Sequence, residues 1–127
     1  MAIKYKLVEK VNPQDTTLPK KFYASAIHDK HYKMSQLAKE LAGRSTTASE
    51  GDTYSVLIGL RDLIREHLDR GDKVSLDGIG SFVINVTSIG ADSAEKFYPA
   101  NIKGGKLVFQ PDNDMKEHIS RVKFEKE

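Results

Sequence analysis

Two histidines flank a carboxylate in His28-Asp29-Lys30-His31, the densest group of metal-ligating side chains in the chain. Two imidazoles at that spacing can share a metal, but a zinc site takes three or four protein ligands. His67 and His118 lie far along the sequence and there is no cysteine, so a solvated loop pair accounts for the quartet. Asp62 and Glu66 sit one helical turn apart beside Arg61 and Arg65, where intrahelical ion pairs explain them without catalysis. The stretch LAGRSTTASEGD mixes glycine with hydroxyls but lacks the GxxxxGK[ST] spacing of a phosphate loop. Gly104-Gly105 reads as a hairpin turn, and neither a cysteine nucleophile nor a GxSxG elbow occurs. The expectation is a non-enzyme with no catalytic residue, metal, cofactor or small-molecule substrate.

The remaining chemistry is charge. The net charge is only +2, but it is unevenly spread. Residues 1–33 hold Lys4, Lys6, Lys10, Lys20, Lys21, Lys30 and Lys33 against Glu9, Asp15 and Asp29, a balance of 7 − 3 = +4. The rest holds 13 basic and 15 acidic side chains, a balance of −2. The front of the chain is therefore suited to an anionic partner, although a solvated basic face explains the same lysines.

A chain of 127 residues, 39% hydrophobic and 30% charged, is long enough for one domain with a modest core, with room for a smaller added element. Its longest apolar run, Val56 to Leu60 counting Gly59, is far short of a membrane span. MAIKYKLVEKV lacks the apolar stretch of a secretory signal. Absence of cysteine suits a reducing compartment, so a cytoplasmic protein without a membrane partner is expected.

The elements that would position these groups follow from periodicity. Ile3, Tyr5 and Leu7 alternate with Lys4 and Lys6 in a strand over 3–11, and KFYASAI is a second strand after the loop NPQDTTLPKK. Ser35 is a candidate cap for a helix whose stripe is Leu37, Ala38, Leu41 and Ala42, with Gly43 as its stop. A longer helix runs from about Gly51 to Arg70, with Val56, Leu57, Leu60, Leu63, Ile64 and Leu68 at helical spacing. That stripe is wide enough to require burial against something. Gly71 ends the helix, KVSL and SFVINV form strands, and Gly78 and Gly80 supply the turn between them. An irregular stretch follows to Gly105, then a strand at KLVF, then a helix from Asp112 to about Val122.

From about Ser35 to Val122 the chain resembles the HU/IHF family of bacterial DNA-bending proteins. The residues that carry this are SQLAKELA, LIREHLDRGDKVSLDGIGSF and FQPDNDMKEHI. The family's Gly-aromatic-Gly-Thr-Phe motif is matched by Gly78-Ile79-Gly80-Ser81-Phe82, and its Phe-Lys-Pro segment by Phe109-Gln110-Pro111. The resemblance implies an α+β, dimer-forming fold with a helical base, a three-stranded sheet extended into a β-arm, and a C-terminal helix. Phe82 and Phe109 would then pack inside the dimer core. Residues 1–33 form an extra N-terminal β region, as in an extended HU-like group of the Bacteroides lineage. Residues 34–127 form the HU-like domain, with its arm at about 87–105.

The resemblance also implies a partner: double-stranded DNA in the nucleoid, bent by a histone-like homodimer with little sequence selectivity. Lys96, Lys103 and Lys106 are the candidate phosphate contacts in the arm, followed by Lys4, Lys6, Lys20 and Lys21, with Tyr98 and Pro99 of FYPA as a possible wedge. The arm departs from the family's pattern. No arginine occurs between Arg70 and Arg121, and over 83–108 three lysines face Asp92 and Glu95, a balance of 3 − 2 = +1. Each missing cation should flatten the salt dependence of binding by about one unit of slope. The competing reading is a dimerisation or protein-interaction module that kept the HU scaffold and lost DNA. A metal-binding domain built on His28 and His31 is the third.

Overall fold

The computed structural model describes residues 2–44 and 47–127. Two compact units divide them: one holds the residues up to Tyr32 together with His118–Glu127, the other Lys33–Glu117. The first is built on strands β1 (Ala2–Lys10) and β2 (Lys21–Ala26), and the second on helices α1 (Met34–Arg44) and α2 (Glu50–Asp69) and strands β3 (Val74–Leu76), β4 (Gly80–Ser88) and β5 (Ile102–Pro111). Helix α3 (Asn113–Ser120) spans the boundary, and β6 (Lys123–Lys126) returns to the first unit. The architecture is the expected α+β fold with its additional N-terminal strands.

In the larger unit, α2 begins where the Ser49 side chain accepts a hydrogen bond from the Asp52 N–H at 3.1 Å. It ends at the Arg70 cap, followed by Gly71 at φ +85°, the left-handed conformation that glycine adopts without penalty. The start of α1 differs from expectation. Ser35 lies inside the first turn, and Lys33 takes the cap position, its N–H donating to Gln36 Oε1 at 2.7 Å. This is the reciprocal half of a capping box, supplied by the glutamine three residues on. The helix also passes through Gly43 to Arg44.

The sheet β3-β4-β5 is antiparallel throughout. Gly78, at φ +82°, makes the turn from β3 to β4. Gly80 has another role than the turn assigned to it. Its φ is ordinary, and a Cβ there would lie 2.6 Å from Phe109 Cζ and closer still to the Gln110 carbonyl oxygen. Gly80 is required for close packing. Strand β5 is longer than KLVF, and Gly104-Gly105 is a stretch of strand and not a hairpin turn. Thr87 pairs with Gly104 and Ser88 with Ile102, so Lys103 is the extra residue of a β-bulge. Gly104 takes φ 153° there, and Thr87 Oγ1 donates to its carbonyl at 3.0 Å.

Last comes α3, capped by Asp112, whose Oδ1 accepts from the Met115 N–H at 2.9 Å. The helix stops at Ser120, before the expected Val122, and the chain enters β6. In the smaller unit β1 is the central strand of the order β2-β1-β6, antiparallel to β2 and parallel to β6.

Candidate nucleic-acid interface

In the larger unit the β4–β5 register sorts side chains onto two faces. Paired residues share a face and neighbours along a strand alternate. Phe82 with Phe109, Ile84 with Leu107, and Val86 with Gly105 make one face apolar. Ser81 with Gln110, Val83 with Val108, Asn85 with Lys106, and Thr87 with Gly104 make the other largely polar. Ser75 joins the polar face, its hydroxyl 2.7 Å from that of Ser81. None of the residues of β3, β4 and β5 is a carboxylate, so the polar face offers hydroxyls, amides and Lys106 with no anion among them.

Beyond Ser88 the two strands are joined by a loop closed by an Ile89 N–H to Asn101 carbonyl bond of 2.8 Å. Two short 3₁₀ turns shape it, Ala94–Lys96 and Pro99–Asn101. Ser93 caps the first, its Oγ accepting from the Lys96 N–H at 3.3 Å. Lys96, Tyr98 and Pro99 all lie in this loop, exposed, with Pro99 opening the second turn. Lys103 and Lys106 lie on β5, at the bulge and on the polar face respectively. The five arm candidates therefore fall on one continuous ribbon and its tip.

The apolar face of the ribbon runs into a groove of about 360 Å³ beneath the sheet, lined by Leu57, Leu60, Ile64, Leu68, Phe82 and Leu107 among others. A second groove of about 530 Å³ lies between α1 and α2, lined by Met34, Leu37, Leu41 and Leu57. Much of this lining is open. Among the described residues Ala38 alone is a fully buried apolar side chain, while Val56 is 71% exposed and Leu107 59%. The α2 stripe is thus half covered: Leu57, Ile64 and Leu68 are partly buried, whereas Val56, Leu60 and Leu63 are exposed.

In the smaller unit Lys4 and Lys6 lie on β1 and Lys21 opens β2, while Lys20 is in the preceding loop. Two residues absent from the expected set join them. Lys10 pairs directly with Lys21, and Lys123 of β6 pairs with Ala2. Lys10 was counted only among the basic residues of the chain's front, and Lys123 lay beyond the last helix, in a strand that local pattern did not disclose. His28 and His31 are in the stretch between β2 and α1, and no cluster of three metal-ligating side chains forms among the described residues. Among the described residues no helix is long and apolar enough to cross a membrane.

Comparison with known proteins agrees with this architecture. A family model described as an HU domain fused to a winged helix-turn-helix, Ig or glycine-rich motif matches residues 1–126. The chain belongs to this HU family. A structure from Bacteroides vulgatus, described as that of a candidate bacterial DNA-binding protein, superposes with TM-score 0.68 over 99% of the chain at 14% identity. This chain spans 49% of that protein's length. The Anabaena HU–DNA cocrystal structure superposes with TM-score 0.53, at 20% identity, over 71% of this chain and 99% of that one. No curated protein matches significantly.

Proposed function

We propose that this HU-family chain is a homodimeric architectural protein that binds and bends double-stranded DNA with little sequence selectivity. The observation that carries the reading is the open apolar surface of the larger unit, continuous with a ribbon whose other face lacks any carboxylate. The chain exposes 10875 Å². Two separate compact bodies of these lengths would together expose about 8,000 Å² by the usual scaling of area with mass. The excess is enough for one side of an obligate homodimer interface, about 1,000–2,500 Å² per partner. A second copy seated on the α2 stripe and the grooves would cover Leu60, Leu63, Leu107 and Phe109, and would place two arms on one duplex.

On that duplex Lys96, Lys103 and Lys106 meet phosphates, joined by the hydroxyl and amide groups of Ser81, Asn85 and Gln110 as neutral donors. Neutral donors position the backbone without releasing counterions, so this ribbon gives a shallower salt dependence than an arginine-rich one. Tyr98 and Pro99 at the tip are the wedge, inserted where a base step is unstacked and the duplex kinks. Lys4, Lys6, Lys20 and Lys21 add attraction from the smaller unit.

The Anabaena HU–DNA cocrystal supports the reading through fold alone, at 20% identity. The test is energy transfer between dyes at the two ends of a short duplex. Binding should raise transfer, and Tyr98→Ala with Pro99→Ala should reduce that rise while leaving most of the affinity. A protein that dimerises yet leaves the duplex unbound at low salt would instead be the protein-interaction module on an HU scaffold.

A further inference from the structure

We propose that the smaller unit carries its own phosphate-backbone contact for double-stranded DNA, the lysine face of the β2-β1-β6 sheet; this rests on the chain being a DNA-binding protein. The register assigns the face. Lys4, Lys6, Val8 and Lys10 alternate on one side of β1, and their partners on the same side are Glu125, Ser25, Tyr23 and Lys21. Lys123 joins through its pairing with Ala2. Five exposed lysines therefore share one side of a three-stranded sheet with a single carboxylate, Glu125. The opposite side, with Ile3, Tyr5, Leu7, Phe22 and Phe124, carries one carboxylate and one lysine, Glu9 and Lys126. The segregation is a property of the register and not of composition.

Two features point to an anion and not merely to a solvated surface. Lys10 and Lys21 stand directly opposite each other across the hairpin, an arrangement of like charges that weakens a sheet unless something offsets it. Lys10 Nζ lies 5.7 Å from the centre of the Tyr23 ring, which recovers part of that cost and holds the ammonium over the face. Beside them is a hollow of about 340 Å³, bounded by Lys10, Lys21, Tyr23, Leu18 and Pro19. A phosphate there neutralises both lysines at once. Side chains two apart on β1 are spaced by about 7 Å, and adjacent strands by about 4.8 Å, so the lysines form a broad lattice of cations. Such a surface suits a phosphate backbone, and it has no cluster of aromatic rings on which unpaired bases would stack. Double-stranded DNA is the occupant this favours.

The test uses the full chain and a labelled duplex in a salt series read by fluorescence anisotropy. One variant replaces Lys4, Lys6, Lys10, Lys21 and Lys123 by Gln, a second replaces Lys96, Lys103 and Lys106 by Gln, and a control replaces Lys39 and Lys116 by Gln. All eight binding-surface lysines are exposed, and circular dichroism melts verify that each variant folds. The sheet variant should lose about 3 to 4 units from the slope of log K against log salt, at about 0.9 per phosphate contact, and more than tenfold in affinity at low salt. A sheet variant with the slope and affinity of the control overturns the proposal. Loss in the arm variant alone overturns it while sparing the HU-type reading. Loss in the sheet variant alone upholds it and removes the arm contact. A wild-type chain that binds no duplex ends both.

Discussion

The rings of Phe82 and Phe109 lie 5.1 Å apart at 44° across the β4–β5 pairing, and the edge of the Phe109 ring roofs Gly80. This relationship joins the turn motif Gly78-Ile79-Gly80-Ser81-Phe82 to the segment Phe109-Gln110-Pro111, nearly thirty residues on. Tilted rings at this separation add about 0.5–1.5 kcal/mol beyond the area they cover. Yet Phe109 remains 45% exposed, beside Phe82, which lines the open apolar groove beneath the sheet.

Gly80→Ala should lower stability by roughly 1–3 kcal/mol, because the new methyl collides with the Phe109 ring and the Gln110 backbone. Gly90→Ala, where nothing stands within 4 Å, should change it by about 0.5 kcal/mol at most. Thermal melts of the two variants side by side separate close packing from a general intolerance of alanine for glycine.

Leu107→Glu should destroy dimerisation and, with it, lower the stability of each chain. The side chain is largely exposed in one copy but lies in the groove that a second copy would fill. Burying an unpaired carboxylate in that interface costs on the order of 3 kcal/mol or more, over a hundredfold in dimer affinity. Sedimentation equilibrium reads this directly. A variant that remains fully dimeric would move the interface elsewhere.

Ser49→Ala should shorten α2 from its first turn and cost about 1 kcal/mol, since the Asp52 N–H loses its acceptor. The loss should appear as a lower melting temperature and faster amide exchange confined to the first turn of the helix.

The loop between β1 and β2 contains a small acid-sensitive turn. The Thr17 hydroxyl and the Thr17 N–H both donate to Asp15 Oδ1, and these bonds hold the Asp15 carboxyl below its ordinary value. A depressed carboxylate stabilises the turn above its unfolded pKa, and that contribution is lost as pH falls through the folded value. Thr17→Val should raise the Asp15 pKa in an NMR titration, with the backbone bond retaining part of the shift.

What the sequence disclosed, and what it withheld, divides along locality. Strands β1 to β4 and helix α2 follow from alternation and helical spacing within a few residues, and Gly71 ends α2 as glycine commonly does, whereas the choice of Ser49 as its cap came only from the structure. Strand β6 has only four residues, and its partner β1 is at the other end of the chain, so no local pattern announces it. The first half of β5 was obscured because Gly104-Gly105 has turn composition but serves a bulge, where Gly105 also makes room for Ile84 Cγ2. The arm lysines were legible as charges on an HU-like ribbon. That Lys10 and Lys123 share a face with Lys4, Lys6 and Lys21 depends on register, which composition does not reveal.

Sedimentation velocity of a fluorescent duplex at low salt, with and without the protein, decides whether the chain carries DNA as a dimer. The duplex should move as a complex with one protein dimer, and raising the salt should release it along a linear plot of log K against log salt. A duplex that sediments as free DNA at low salt, beside a protein of confirmed dimer mass, would contradict it.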